Sequence, residues 1–190
     1  MLPEGATPLD PDEMDGLIPQ HITTQVELDE WEQTNIGKAQ TWLRQRRQRG
    51  PRDAAFVREL HWRMFDQTWR WAGEYRRSNK NIGVSWHTIG MAIQDLLADV
   101  SLWIDTGVYE IDEMAARLHH RLVSVHPFSN GNGRHSRLYV DDLLAELGRL
   151  PFSWGSSTLL REGEARSRYI ASLRAADRGD LRPLLAFVRT

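Results

Sequence analysis

Cysteine is missing altogether from the 190 residues. Its absence excludes disulfide bonds, thiolate zinc sites, iron–sulfur ligation and a cysteine nucleophile. Lysine is scarce too, because 22 of the 24 basic residues are arginine. No apolar run approaches the roughly 18 residues of a membrane-spanning helix, and the first 20 residues lack the basic-then-apolar pattern of a signal peptide. We therefore expect a cytoplasmic protein with no membrane partner.

Charge is unevenly distributed along the chain. Residues 1–37 contain nine acidic side chains and no lysine or arginine, so the remainder is net basic. Four prolines within residues 1–20 favour an extended segment over a helix. Since the length suits one domain, we predict an extended, acidic, proline-rich arm at 1–20 and a single domain at 21–190.

Hydrophobic spacing predicts a mainly α fold with about seven helices. Thr24 and Glu27 have the spacing of a capping box, which marks the start of the first helix. Later helices are predicted near 53–66, 89–104, 112–125, 134–147, 161–178 and 180–188. The stretch 69–86 interrupts the helical pattern and predicts a loop with a short β-hairpin.

A polar, glycine-rich loop lies between two of these helices at residues 126–133. The first turn of the following helix offers free backbone N–H groups and a positive dipole end. Gly131 and Gly133 permit close approach, Asn132 adds an amide, and Arg134 and Arg137 add bidentate donors. The pattern predicts an anion cradle suited to phosphate.

His126 stands at the entrance to this loop, where the preceding helix ends before Pro127. A histidine there can accept a proton from an incoming hydroxyl. The local chemistry is then a base beside a polyphosphate site. A glycine-rich helix–helix turn with a capping histidine is the structural alternative.

The string from His126 to Arg137, HPFSNGNGRHSR, resembles the HPFx[DE]GNGRxxR motif of the Fic (Fic/Doc) family. Trp71–Arg76 resembles the segment before that family's flap, and the resemblance extends over about residues 24–188. The whole chain, including the arm, is similar to Fic proteins of the mobile mystery protein B type. The implied fold is a Fic-type helical bundle with a short β-hairpin flap, over residues 21–190.

The resemblance implies a protein adenylyltransferase, which transfers AMP from Mg-ATP to a Ser, Thr or Tyr hydroxyl of a target protein. His126 would be the general base. The nucleotide- and phosphate-binding residues would be Asn130, Gly131, Asn132, Gly133, Arg134 and Arg137. Residues 79–86 correspond to the flap, which binds the target by strand addition; its central residues are Asn81, Ile82, Gly83 and Val84.

One departure from the motif concerns the metal. Asn130 replaces the acidic residue that binds Mg²⁺ in the family, and an amide oxygen is a weaker ligand for a hard cation. Two alternatives therefore stay open: a phosphotransferase of the same fold, and a catalytically idle partner-binding module. ATP and Mg²⁺ remain the implied cofactors.

Control of the activity is not evident within the chain. Thr158–Gly163 matches the family's [ST]xxxE[GN] inhibitory string, but it precedes the Tyr169 helix instead of flanking the core. We therefore expect a separate antitoxin-like inhibitor. The arginines at 44–52 favour a solvated helix end over a nucleic-acid site, and His119 and His120 lack the spacing of a zinc site.

Overall fold

The computed structural model describes residues 9–46, 52–156 and 162–190. Eight α-helices follow one another in these residues: α1 Pro11–Met14, α2 Gln25–Gln45, α3 Ala54–Phe65, α4 Ile89–Thr106, α5 Ile111–Val125, α6 Asn132–Glu146, α7 Glu162–Asp177 and α8 Arg182–Val188. A 3₁₀ turn, Trp86–Thr88, precedes α4. The mainly helical prediction is confirmed, and the string at Thr158–Gly163 lies largely outside the described residues.

The predicted cap of α2 is present. The Thr24 hydroxyl accepts a hydrogen bond from the Glu27 N–H at 3.3 Å, and the Glu27 carboxylate accepts one from the Thr24 N–H at 2.9 Å. Two free donors at the helix start are satisfied in this way. The start of α2 could therefore be predicted from two residues alone.

The prediction of a wholly extended arm is wrong at α1. Asp10 and Glu13 form a capping box around this helical turn, and Pro11 lies in its first turn. Proline breaks a helix interior, but at the first helical position it loses no hydrogen bond and its φ is already helical. The arm then bonds to the turn after α3, where the Ile18 N–H donates to the Thr68 carbonyl at 2.9 Å.

The predicted β-hairpin is not seen at residues 77–84, which bend at 77–78 and again at 81–84. Within the described residues, the extended pairing is limited to one isolated bridge between Leu17 and Trp69. The carbonyls of Ser78 and Val84 both accept hydrogen bonds from the Arg76 guanidinium. The segment therefore closes around a side chain and not across a strand ladder.

Helix α5 lies at the centre of the bundle. It packs against α4, α6 and α8, while α6 also packs against α3, and α3 against α2. The apolar faces of these helices form one core, whose fully buried members include Leu60, Met64, Ile93, Leu118, Leu144 and Leu184. The loop between α5 and α6 thus starts on a helix that contacts three others and ends on one that packs against α5 and α3. Among the described helices, none combines the length and apolar character needed to cross a bilayer.

Candidate active site

The loop between α5 and α6 begins with a strained residue. His126 has φ 53° and ψ 59°, in the left-handed region that non-glycine residues seldom adopt. Its N–H still donates to the Leu122 carbonyl at 3.3 Å, so it closes the last turn of α5. A side chain held in this conformation is more often found at functional sites than elsewhere.

The Phe128 ring anchors the loop in the core. It is fully buried, and the His61 ring stacks on it with centroids 3.7 Å apart and planes 15° apart. The Asn132 side chain closes the loop, since its Oδ1 accepts from the Phe128 N–H at 2.9 Å and its Nδ2 donates to the Phe128 carbonyl at 2.7 Å. The Asn132 amide is therefore engaged within the loop, which leaves its backbone N–H for an anion.

His61, which sequence reasoning missed, holds the backbone of Asn130 in the loop. The Gly73 N–H donates to His61 Nδ1 at 2.9 Å, so the imidazole proton is on Nε2, which donates to the Asn130 carbonyl at 3.1 Å. Burial lowers the pKa of His61 well below its ordinary value, and the neighbouring His135 and Arg134 lower it further. A neutral imidazole with a fixed tautomer thus sets the direction of the Asn130 peptide.

The start of α6 presents free donors. Gly131 is the N-cap with φ 77°, and the N–H groups of Asn132, Gly133 and Arg134 have no acceptor among the described residues. An added Cβ on Gly131 would lie 2.5 Å from the Phe65 ring, whereas one on Gly133 would meet only the Tyr169 hydroxyl, at 3.7 Å. Gly131 is therefore required by packing, and Gly133 leaves the helix start open.

Arg134 is paired with a carboxylate from the acidic N-terminal stretch. Glu32 on α2 is 2% exposed, and its Oε2 lies 2.7 Å from an Arg134 terminal nitrogen. The Trp69 indole N–H donates to the other carboxylate oxygen at 2.7 Å. Glu32 was counted only as part of the acidic segment, because nothing in its sequence neighbourhood reveals a partner 102 residues away.

Arg137 lies one turn after Arg134 on α6. Its Nε donates to the Gly133 carbonyl at 3.3 Å and its guanidinium lies 5.6 Å from the centre of the Tyr169 ring. No carboxylate lies within ion-pair distance in the residues that the structure describes. Burial lowers its pKa, as expected for a cation that is partly desolvated and not neutralised.

A buried chain of hydrogen bonds supports the first turn of α6. Ser136 donates to the Gly133 carbonyl at 3.1 Å, which leaves its oxygen to accept from His119 Nδ1, also at 3.1 Å. His119 Nε2 in turn accepts from the Tyr169 hydroxyl at 3.0 Å. His119 is thus a structural residue, and across the described ranges no three His, Cys, Asp or Glu side chains form a metal-binding group.

The electrostatic environment keeps His126 neutral. Burial lowers its pKa to about 4, and the positive charge of Arg76 acts in the same direction. A hydrogen bond with the Val123 backbone raises the pKa, and Lys80 lowers it slightly. At neutral pH the imidazole can therefore accept a proton, as a general base must.

Two of the predicted target-binding residues, Gly83 and Val84, lie beside His126. Gly83, with φ 105°, approaches so closely that an added Cβ would be 2.8 Å from the His126 Cβ. Val84 is half-buried and its N–H donates to the Val125 carbonyl at 3.3 Å. Asn81, Ile82 and Gly83 are exposed, and their backbone N–H and C=O groups have no hydrogen-bond partner within the described residues.

The donors around Asn130 do not fit a protein-held Mg²⁺. Its side-chain oxygen already accepts from the Gly131 N–H and, at 3.4 Å, from Arg134. A cation would therefore compete with a guanidinium for a single neutral oxygen, and hard cations prefer anionic oxygen ligands. We derive no chemical step through a metal.

The comparisons with known proteins agree with this arrangement. Residues 51–144 match the family model described as "Fic/DOC family". The chain is 34% identical over 120 residues to the protein adenylyltransferase fic-1 of Caenorhabditis briggsae, a match that covers 62% of this chain and 22% of that protein. The chain thus spans about a fifth of the length of the curated relatives it matches.

Solved structures share the fold. BepC, a VirB-translocated effector of Bartonella tribocorum with bound AMPPNP, has a TM-score of 0.72 at 18% identity and covers 95% of this chain and 97% of that one. The N-terminal Fic domain of a Bartonella quintana effector with bound ADP has a TM-score of 0.67 at 19% identity, covering 90% and 86%. The helical bundle is therefore of the Fic type. The family match, over 94 of the 190 residues, agrees with this fold.

Proposed function

We propose that the protein is a protein adenylyltransferase, which transfers AMP from ATP to a hydroxyl of a target protein. One observation carries the proposal: the N–H groups at the start of α6 and the Arg137 cation, which have no acceptor and no counter-ion among the described residues, lie on the helix that follows a neutral histidine. Unsatisfied donors and a partly desolvated cation favour an anion. The relatives named as adenylyltransferases support AMP transfer as the reaction.

The roles of the residues follow from their chemistry. The backbone N–H groups of Asn132, Gly133 and Arg134 bind phosphate oxygens, and Arg137 binds the terminal phosphate. His126 accepts the proton of the target hydroxyl as its oxygen attacks the α-phosphorus of ATP. The bond from that phosphorus to the oxygen bridging to the β-phosphate breaks, and pyrophosphate leaves. Donors fixed in advance of the reaction stabilise the charge that develops on the phosphates.

The target would be held by the segment 81–84. Its exposed backbone groups can pair with an extended peptide, the binding mode of strand addition, and Gly83 brings that peptide next to His126. Strand addition requires free N–H and C=O groups, not a preformed hairpin. The absence of a hairpin at 77–84 is therefore compatible with the role.

Three parts of the same proposal rest on the sequence: control by a separate antitoxin-like protein, a cytoplasmic location and the mobile mystery protein B subtype. The division of the chain into an arm at 1–20 and a Fic domain at 21–190 also belongs to this proposal. Each follows from the motif resemblance or from composition.

Labelled ATP provides the test. The protein is incubated with cell lysate and ATP carrying the label in the α- or in the γ-phosphate. We expect protein labelling from the α-label alone, a mass increase equal to AMP, and loss of both for His126→Ala. His120→Ala is the matched control, because His120 lies on the same helix but bonds to Asp177 at 2.8 Å. Labelling from the γ-phosphate would identify a phosphotransferase, and no labelling together with no ATP binding would leave a partner-binding module.

A further inference from the structure

A buried arginine joins residues 78–84, the proposed target-binding segment, to the loop that begins at His126. Arg76 is 2% exposed, and its Nε donates to the His126 carbonyl at 2.7 Å. One terminal nitrogen donates to the Ser78 carbonyl at 2.7 Å. The other donates to the Val84 carbonyl and, at 3.5 Å, to that of Val125. One planar group thus contacts two carbonyls of each element.

No carboxylate is hydrogen-bonded to Arg76 in the ranges that the structure describes. Burial lowers the pKa of its guanidinium, and the more distant Glu13 raises it. A buried charge held only by carbonyls is costly unless its geometry is well satisfied. The five N–H donors of arginine are rigidly arranged, so the positions of the four carbonyls are restricted with respect to one another.

The four carbonyls have distinct places in the site. Those of Val125 and His126 end α5, where helix carbonyls lack partners within the helix. Those of Ser78 and Val84 lie at the two ends of the bends that carry Asn81, Ile82 and Gly83. The backbone of Arg76 adds a further link, because its N–H donates to the Pro127 carbonyl at 2.9 Å.

We propose that Arg76 is a positioning residue that couples segment 78–84 to His126, so that a hydroxyl held by the segment arrives at the imidazole. The inference rests on the proposed function. Arg76 touches neither the phosphate-binding N–H groups nor Arg137, so its role is confined to the target side of the site.

Residues 78–84 are also attached to α1. The Lys80 amine, whose side chain is 3% exposed, lies 2.8 Å from an Asp10 oxygen and 2.5 Å from a Glu13 oxygen. The Ser78 hydroxyl donates to Asp10 at 2.6 Å. Arg76 therefore links residues 78–84 to His126, while Asp10 and Glu13 link the same residues to α1.

Two substitutions separate the geometry of Arg76 from its charge. Arg76→Lys keeps the charge but cannot reach four carbonyls, whereas Arg76→Met removes both. Arg77→Met is the matched control, since the Arg77 side chain is 82% exposed and, among the described residues, forms its one ion pair with Glu74. Thermal unfolding followed by circular dichroism checks that each variant folds.

Three measurements then test the coupling without requiring transfer. Hydrogen exchange of the Val84 amide, which donates to the Val125 carbonyl, should be at least tenfold faster in both Arg76 variants and unchanged in Arg77→Met. ATP affinity by calorimetry should stay within about twofold of the parent. The pKa of His126, followed by NMR of its imidazole, should rise in Arg76→Met and stay near the parent value in Arg76→Lys, where Lys80 is the other cation acting on the ring.

AMP transfer is measured separately, as incorporation of α-labelled AMP into lysate protein. It should fall at least tenfold in both Arg76 variants. Absence of transfer in the parent protein would overturn the proposed function, while the exchange and NMR data would still decide on the coupling. Unchanged exchange of the Val84 amide in Arg76→Lys, or a large loss of ATP affinity, would refute the coupling.

A second variant serves if the Arg76 variants do not fold. Gly83→Ala retains Arg76 but adds a Cβ 2.7 Å from its guanidinium and 2.8 Å from His126. The segment must then move, so exchange of the Val84 amide should rise and transfer should fall with ATP affinity retained. Parent-like exchange and transfer in Gly83→Ala would contradict the proposal.

Discussion

Gly131 is the glycine whose replacement should cost the most stability. Its φ of 77° is unfavourable for alanine, and the added Cβ would lie 2.5 Å from two atoms of the Phe65 ring. That ring is 1% exposed and packs 4.8 Å from His61, so it cannot swing aside. The perturbation is thus a clash in the core beneath the loop.

The size of the effect has two parts. An L-residue in the left-handed region costs about 1–2 kcal/mol. Forcing one extra carbon into a packed core costs about 1–3 kcal/mol more. Gly131→Ala should therefore lower the free energy of unfolding by roughly 2–5 kcal/mol, or the melting temperature by roughly 4–20 °C for a chain of this size.

Two other glycines separate the contributions in a urea-unfolding assay. Gly148 has φ 71° but nothing within 4 Å of its added Cβ, so Gly148→Ala measures the backbone cost alone. Gly133 is helical and its Cβ would be 3.7 Å from the Tyr169 hydroxyl, an ordinary contact. Gly133→Ala should leave stability unchanged or raise it by up to about 1 kcal/mol, yet weaken ATP binding by filling the open start of α6.

The comparison can fail in two ways. Equal destabilisation by Gly131→Ala and Gly148→Ala would show that Phe65 yields and that the loop is not held from below. Full ATP affinity in Gly133→Ala would show that phosphate does not bind against this glycine. Either result refutes the corresponding step of the reasoning.

Three further outcomes are expected. Glu32→Gln should cost about 1–3 kcal/mol of stability through the lost charged partner of Arg134, yet tighten ATP binding in calorimetry, because a negative charge leaves the phosphate site; weaker binding would contradict this. ATP affinity should change little on EDTA addition, whereas Asn130→Asp should make it respond to Mg²⁺; a strong EDTA effect on the parent would oppose the assignment. Burial lowers the pKa of His119 to about 3 and that of His126 to about 4, from 6.5. Because the unfolded chain then binds more protons than the folded chain below pH 6.5, the stability measured in urea should fall as the pH drops towards 4. Constant stability would show that these histidines are not buried in their neutral form.

Local signals in the sequence predicted much of the fold. The capping box at Thr24 and the hydrophobic spacing located the long helices, and the loop motif located His126, Phe128 and the start of α6. Each of these depends on residues close together in the chain. The interpretation of Pro11 failed because the proline was weighed without its neighbours Asp10 and Glu13, which stabilise a helical turn.

The polar connections that complete the site could not be predicted. Glu32 reaches Arg134 from another helix, and His61 reaches the Asn130 carbonyl 69 residues away. Arg76 was noted only as part of a flanking string, because bonds to backbone carbonyls leave no signature in the residue types of their acceptors. Such contacts depend on tertiary packing, which a single sequence does not encode in any short pattern.

The position of the N-terminal arm can be followed by the fluorescence of Trp71, whose ring stacks on that of Trp69. The two rings stack 4.9 Å apart, and the Trp71 N–H donates to the Glu13 carbonyl at 2.9 Å. An added Cβ on Gly16 would lie 2.6 Å from the Trp71 ring, so the arm lies directly against it. Release of the arm would expose this indole to water, and its intrinsic fluorescence would shift to the red. The protein thus carries its own chromophore for following, in real time, whether the acidic residues that hold Lys80 are in place.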